Sequence, residues 1–175
     1  PAKKDLLEPI VNAVLSNNKS GTRAELHIVG VSKEDYSIHN LVDQVHDESI
    51  VFYGRVDHEE AISILKLCDF SLIIRKDERY ARAGFPTKLV EAFSNGVGVI
   101  STPCGDIPRY VQNGENGYIV GFDSVENELA ILFEHITNQS DSAIRRIKEN
   151  ALKTATEHFL PEAYADTLCD LINKD

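Results

Sequence analysis

The residues of this chain best suited to chemistry are gathered in one stretch. Gly84-Phe85-Pro86-Thr87-Lys88-Leu89-Val90-Glu91 runs on through Ala92-Phe93-Ser94-Asn95-Gly96 into the apolar Val97-Gly98-Val99-Ile100-Ser101. A glycine loop, a Pro/Thr helix start, an amphipathic helix, a glycine stop and a strand follow one another without a gap. Backbone N–H groups at a helix N-terminus lack intrahelical acceptors and carry partial positive charge. Gly84 and the amides of Thr87, Lys88 and Leu89 are therefore candidates to hold a phosphate. Pro86 has no N–H to give, which costs nothing at a position where the helix has no acceptor for it. Glu91, one turn further in, either complements the helix N-terminus or binds a ligand. Lys88 reads as a solvated helix residue or as a phosphate contact. Arg55 and Arg75, each just past an apolar run, offer planar guanidinium forks suited to phosphate oxygens, whereas Arg79 and Arg82 are equally consistent with solvating a loop.

These side chains need a scaffold, and the apolar periodicity supplies one. Leu6, Leu7, Ile10, Val11, Val14 and Leu15 recur at helical spacing over residues 5–17, and residues 16–21 break the pattern. Residues 25–30 form a short apolar run ending in Gly30, as expected of a buried strand whose tip turns sharply or approaches a ligand. A weaker helix is expected over 34–46, then a strand over 50–53 that leaves through Gly54-Arg55-Val56. Asp57, with Glu60 three residues on, is placed to cap a helix that ends near Cys68. A continuous apolar run at 70–74 precedes eight mostly charged residues, 75–82, expected as a solvated loop. After the strand at 97–101, Pro103-Cys104-Gly105-Asp106 turns into a short helix through Ile107, Tyr110 and Val111. A tight turn at 113–117 introduces a last strand at 118–120, and helices follow from about 124 to 175, with breaks near 138–141 and at Pro161. Unalternated apolar strands separated by helices imply a parallel sheet covered on both faces: a Rossmann-like three-layer α/β/α sandwich. Ligands of such sheets sit off the carboxyl ends of the strands, so Gly30, Gly54-Arg55, Arg75 and Ser101-Thr102 are expected to line one crevice with Gly84 and Glu91.

Composition narrows the function. The 175 residues are 42% hydrophobic and 26% charged, suited to one soluble domain with a real core. A net charge of −10 argues against nucleic acid as a partner, because backbone phosphates call for a basic face. No apolar run reaches a membrane span and no signal-peptide pattern opens the chain. Cys68, Cys104 and Cys169, odd in number and far apart, fit free thiols in a reducing compartment, so a cytoplasmic location is expected. The histidines show no metal-ligand spacing, His27, within a strand, reads as a satisfied core residue, and there is no Asp-x-Asp pair, so no metal and no cofactor are expected. A dinucleotide-binding half lacks its Gly-x-Gly-x-x-Gly, a hydrolase its Gly-x-Ser-x-Gly elbow, and a phosphate-loop enzyme its Gly-Lys-Ser/Thr.

Taken together, the strand exit Phe52-Tyr53-Gly54-Arg55-Val56 with His58-Glu59-Glu60, the block from Gly84 to Ser101, and Asn113-Gly114-Glu115-Asn116-Gly117 before Tyr118-Ile119-Val120 resemble a known family. The chain is similar throughout to the C-terminal, nucleotide-sugar-binding half of a GT-B glycosyltransferase of the GT4 kind. The resemblance implies that Glu91 holds the ribose hydroxyls of a nucleotide-sugar donor, work that suits a carboxylate able to accept two hydrogen bonds at once. It also implies that the backbone around Gly84, Phe85, Thr87 and Lys88 meets the pyrophosphate, that Arg55-Val56 meets the base, and that Lys3 is a phosphate-binding lysine. Glycosyl transfer to an acceptor hydroxyl, metal-independent and retaining, is the implied chemistry. An N-terminal acceptor-binding domain is the implied partner. Any catalytic base, and any peripheral attachment to the inner membrane face, would belong to that half, so the chain alone is expected to turn over little.

The departures matter as much. The first glutamate of the family's pair, which contacts the donor sugar, falls at Ala83, so the sugar is read by another group, such as the 77–82 loop, or the donor is held differently. Asp106 replaces the second of two glycines, Arg109 a frequent glutamate, and Gly98 a common proline. The family's first strand of this half, central in the usual order, has no counterpart. Five parallel strands are therefore expected, which either close up or are completed by another chain. A binding module without catalysis, for which Ala83 is the argument, and a nucleotide-sugar epimerase half are the alternative readings.

Overall fold

A computed structural model describes residues 5–19, 23–40 and 47–161. Among these residues five strands alternate with helices, as the apolar runs predict. They are β1 (Leu26–Val29), β2 (Ile50–Gly54), β3 (Phe70–Ile73), β4 (Gly98–Ser101) and β5 (Gly117–Ile119). The helices are α1 (Leu7–Lys19), α2 (Lys33–Asn40), α3 (His58–Leu67), α4 (Arg79–Arg82), α5 (Thr87–Ser94), α6 (Ile107–Tyr110), α7 (Val125–Thr137) and α8 (Asp141–His158). The second half of the expected 34–46 helix, the chain beyond 161, Lys3 and Cys169 lie outside the described residues.

Every strand pair is parallel, but the strands form two ladders. β1 pairs with β2, and β3 pairs with β4, which pairs with β5. Among the described residues the expected count of five parallel strands holds, and of the two outcomes expected for them the first, closing up into one sheet, is not what forms, because β1 and β3 are not joined. Alternation along the second ladder sends neighbouring residues to opposite faces. Ile74, Ile100 and Tyr118 join the core under α1 and α7, while Ile73 and Val99 join the core under α5 and α8. Two helical layers thus sandwich the strands, as a doubly covered parallel sheet requires.

Local chemistry explains the element ends. Asp57 caps α3 by accepting the Glu60 amide at 2.8 Å, as its spacing predicts. In α5 the apolar Leu89, Ala92 and Phe93 are fully buried, and the helix stops at Asn95-Gly96. There Gly96 takes φ 65° while the Gly96 and Val97 amides reach back to the carbonyls of Phe93 and Ala92. The charged 75–82 segment is not wholly a loop. Burial of Ala81 inside the second core fixes one helical turn, α4, which charge alone concealed. At Gly98 a β-carbon would lie 2.8 Å from the Phe70 ring, and its amide donates to the Asp69 carbonyl. A proline there would therefore lose a hydrogen bond and collide with an aromatic ring.

Candidate functional site

The gap between the ladders is a cavity of about 690 Å³. Its body is apolar, walled by Leu26 and Ile28 of β1, Phe70 and Leu72 of β3, Ile10 of α1 and Leu65 of α3. Its polar end lies where the parallel strands finish, and there it is lined by Asp5, Arg75, Thr87, Lys88 and Glu91. Four residues singled out in the sequence thus meet in one place. Glu91, half-buried on the second turn of α5, faces this cavity and has no side-chain partner among the described residues. The Thr87 and Lys88 amides at the front of α5 find no backbone acceptor among the described residues either.

Asp5 organises the cations. Its carboxylate accepts a hydrogen bond from Arg75 Nε at 2.9 Å and another from Lys88 Nζ at 2.6 Å, with Asp5 and Arg75 largely shielded and Lys88 half exposed. Burial of this carboxyl would raise its pKa, but attraction and hydrogen bonds from Lys88 and then Arg75 outweigh it, so Asp5 sits below its ordinary value of 3.8. The Arg75 backbone is fixed as well. Its N–H donates to Thr102 Oγ1 at 3.0 Å, and the Thr102 hydroxyl donates to the Arg75 carbonyl at 2.9 Å, tying the exits of β3 and β4 together. Sequence reasoning missed Asp5. It lies 83 positions from Lys88, and no local pattern announces the pairing.

Other expected members of the crevice fall elsewhere. Leu89 is a correction: its side chain is fully buried in the core and its amide donates to the Pro86 carbonyl at 2.9 Å, so it has no N–H to offer. Gly30, Arg55 and Val56 do not line the cavity with Glu91. The Gly30 amide is used by the Gly54 carbonyl at 2.6 Å, and Arg55-Val56 leaves β2, the strand on the far side of β1 from the gap. Arg55 is exposed and has no side-chain partner among the described residues. His27 is satisfied, stacked on Tyr53 with Nδ1 2.8 Å from its hydroxyl and Nε2 3.0 Å from Glu25, but it is only partly buried and not a core residue.

Gly84 and Phe85 line a second depression of about 600 Å³, with Asp77, Arg82, Pro103, Gly105, Asp106 and Phe122. The single expected crevice is therefore two, with Thr87 and Lys88 in one and Gly84-Phe85 in the other. Gly84 sits at φ 112° in open space. Phe85 is exposed and meets Tyr110 and Phe159 edge-on. Arg82 grips Asp77 with two hydrogen bonds of 2.7 Å, and Ala83, exposed beside them, presents only a methyl group. Among the described residues, no group of three or more His, Cys, Asp or Glu could hold a metal ion, and no helix is long and apolar enough to cross a membrane.

Comparison with known proteins accords with this architecture. The family model described as "Glycosyl transferases group 1" matches residues 3–139. An N-acetyl-alpha-D-glucosaminyl L-malate synthase of Bacillus anthracis is 28% identical over 141 residues, covering 79% of this chain and 34% of that protein. The chain spans about a third of the length of the curated relatives it matches. Among solved structures, the C-terminal domain of a glycosyl transferase group 1 family protein (LpcC) from Francisella tularensis superposes with a TM-score of 0.72 at 20% identity, covering 92% of this chain and 83% of that one. The pneumococcal O-GlcNAc transferase GtfA, solved in complex with UDP and GlcNAc, gives 0.69 at 21% identity, covering 99% of this chain and 34% of that one. These structures share the Rossmann-like half of a GT-B fold with this chain.

Proposed function

We propose, from the premise that the chain belongs to the glycosyl transferases group 1, that residues 1–175 are a single donor-binding domain of the GT4 kind. It binds a nucleoside-diphosphate sugar and presents it for hexosyl transfer to an acceptor hydroxyl. The observation that carries this reading is Glu91: a half-buried carboxylate facing a cavity without a partner among the described residues, one turn past two unpaired helix amides. A carboxylate placed so accepts hydrogen bonds from two neighbouring ribose hydroxyls, while the Thr87 and Lys88 amides receive diphosphate oxygens. Lys88 and Arg75 add positive charge as the diphosphate leaves, which would let transfer proceed without a metal; retention of the anomeric configuration is what the resemblance to the family implies. The acceptor and any catalytic base come from an N-terminal domain of a longer protein.

The sugar lies, in this reading, toward the second depression, where Asp77, Arg82 and Asp106 supply polar contacts and Phe85 and Phe122 apolar ones in place of the glutamate absent at Ala83. Ala83 also favours the second reading, a nucleotide-sugar-binding module without catalysis. Calorimetric titration with nucleoside diphosphates and their sugars separates these proposals from a domain with no nucleotide site. Uridine diphosphate and its N-acetylglucosamine conjugate belong in that panel, given what the B. anthracis and pneumococcal relatives are named for. Micromolar to millimolar binding, weakened by Glu91→Ala, is the expected result; no binding, or affinity unchanged in the variant, removes Glu91 from the ribose role. Turnover by the longer protein, with and without a chelator, separates a metal-independent transferase from an inert binder.

A further inference from the structure

The formal charges lining the polar end of the cavity cancel. Arg75 and Lys88 supply two positive charges, Asp5 and Glu91 two negative ones. A seat built only to grip a polyanion would leave out a carboxylate between its cations, because the pull on an anion grows with the net charge that faces it. Asp5 stands between them nonetheless. Its Oδ1 accepts from Arg75 Nε at 2.9 Å and its Oδ2 from Lys88 Nζ at 2.6 Å. The three residues come from separate parts of the fold: the lead-in to α1, the exit of β3 and the first turns of α5. Asp5 and Arg75 are 15% and 16% exposed, whereas Lys88 is 50% exposed, so the ammonium group can be reached while the carboxylate behind it is shielded. Lys88 and Arg75 hold the Asp5 carboxyl below its ordinary value of 3.8 against the effect of burial, so its negative charge persists at every pH near neutrality.

The consequence is a preference among phosphates. A diphosphate esterified at both ends, as in a nucleotide sugar, carries two negative charges. Once the sugar has left, the nucleoside diphosphate ends in a free phosphate whose second proton has a pKa of about 6, so it carries close to three. Two uncompensated cations would favour the more highly charged species, the product over the donor. A carboxylate beside them opposes that extra charge more than it opposes the rest of the ligand. We infer, resting on the donor-site reading above, that Asp5 is a specificity-determining residue: its carboxylate lowers the positive charge of the diphosphate seat, so the seat discriminates against a free terminal phosphate and in favour of one that still bears its ester. The departing diphosphate is thereby held less tightly than Lys88 and Arg75 alone would hold it, and fresh donor can replace it. The same carboxylate keeps the two cations side by side, where without it they would repel one another.

Two ligands that differ by that one charge test this: a nucleoside diphosphate and its methyl ester at the terminal phosphate, which leaves the sugar out of the comparison. The nucleoside is whichever binds best among uridine, guanosine, adenosine and thymidine diphosphates, titrated by calorimetry. In Asp5→Asn, which keeps the shape and removes the charge, the ratio of the two dissociation constants is expected to shift about threefold toward the free diphosphate. Asp5→Glu, which keeps the charge, is expected to keep the parent ratio. Equal gains for both ligands in Asp5→Asn, or as large a shift in Asp5→Glu, overturns the inference and leaves the donor site standing. No binding by any of the four diphosphates removes the donor site, and this inference with it.

Discussion

At the scale of single residues, the site is a balance between one carboxylate left open and another fully engaged. Glu91 faces the cavity unpaired among the described residues, whereas Asp5 draws Arg75 and Lys88 together with bonds of 2.9 and 2.6 Å. Hydrogen bonds to a charged group are worth about 1.5–3 kcal/mol, so Glu91→Ala is expected to weaken nucleoside-diphosphate binding roughly 10- to 100-fold, read by calorimetry. Asp5→Asn removes a negative charge beside the proposed diphosphate seat and frees both cations, and several-fold tighter binding in the same titration is the expected outcome. Asp5 also makes stability depend on pH. Its pKa is depressed on folding, so its contribution is present above the ordinary value of 3.8 and is lost as pH falls through the lower folded value. Melting temperatures of the parent chain and Asp5→Asn should therefore differ at neutral pH and converge below 3.8. That Glu91 and Lys88 share one end of the cavity was expected from the sequence, because both sit on the first turns of a helix that starts beside the strand exits. The Asp5 clamp was not, because it joins residues whose proximity is purely tertiary. Leu89 was misread for a related reason: a helix-start pattern does not reveal that Pro86 supplies its amide with an acceptor.

At the scale of elements, the boundaries came through where capping chemistry is local and were lost where burial decides. Asp57 and Glu60 announced α3, and the bond between them is 2.8 Å. Replacing Asp57 with Ala leaves that amide unsatisfied and is expected to cost about 1 kcal/mol in chemical denaturation, with nucleotide affinity unchanged. The α4 turn was hidden by its charges and shows itself only through buried Ala81. Gly98 marks a contact between elements. The Phe70 ring fills the space a side chain would take and leans on Tyr118 across the same ladder, with centroids 5.9 Å apart. Gly98→Val forces that ring aside, and a loss of about 1–3 kcal/mol in the same measurement is expected.

At the scale of the whole molecule, the apolar strands and intervening helices made the parallel three-layer fold readable, because a strand buried on both faces leaves an unalternated hydrophobic run. The division into two ladders was not readable, because pairing between strands depends on which edges meet in space. The expected single crevice is likewise two, a cavity holding Glu91, Lys88 and Arg75 and a depression holding Gly84 and Phe85. The start of α5 lines the first and the Gly84-Phe85 loop that leads into it lines the second, so the proposed reading puts the diphosphate at the first turn, with the nucleoside on the Glu91 side and the sugar on the Asp77 side. A crystal structure of the chain soaked with a nucleoside diphosphate tests this arrangement most directly. The account predicts ribose hydroxyls within hydrogen-bonding distance of the Glu91 carboxylate and diphosphate oxygens on the Thr87 and Lys88 amides. A nucleotide bound elsewhere, with Glu91 still unpartnered, would contradict it.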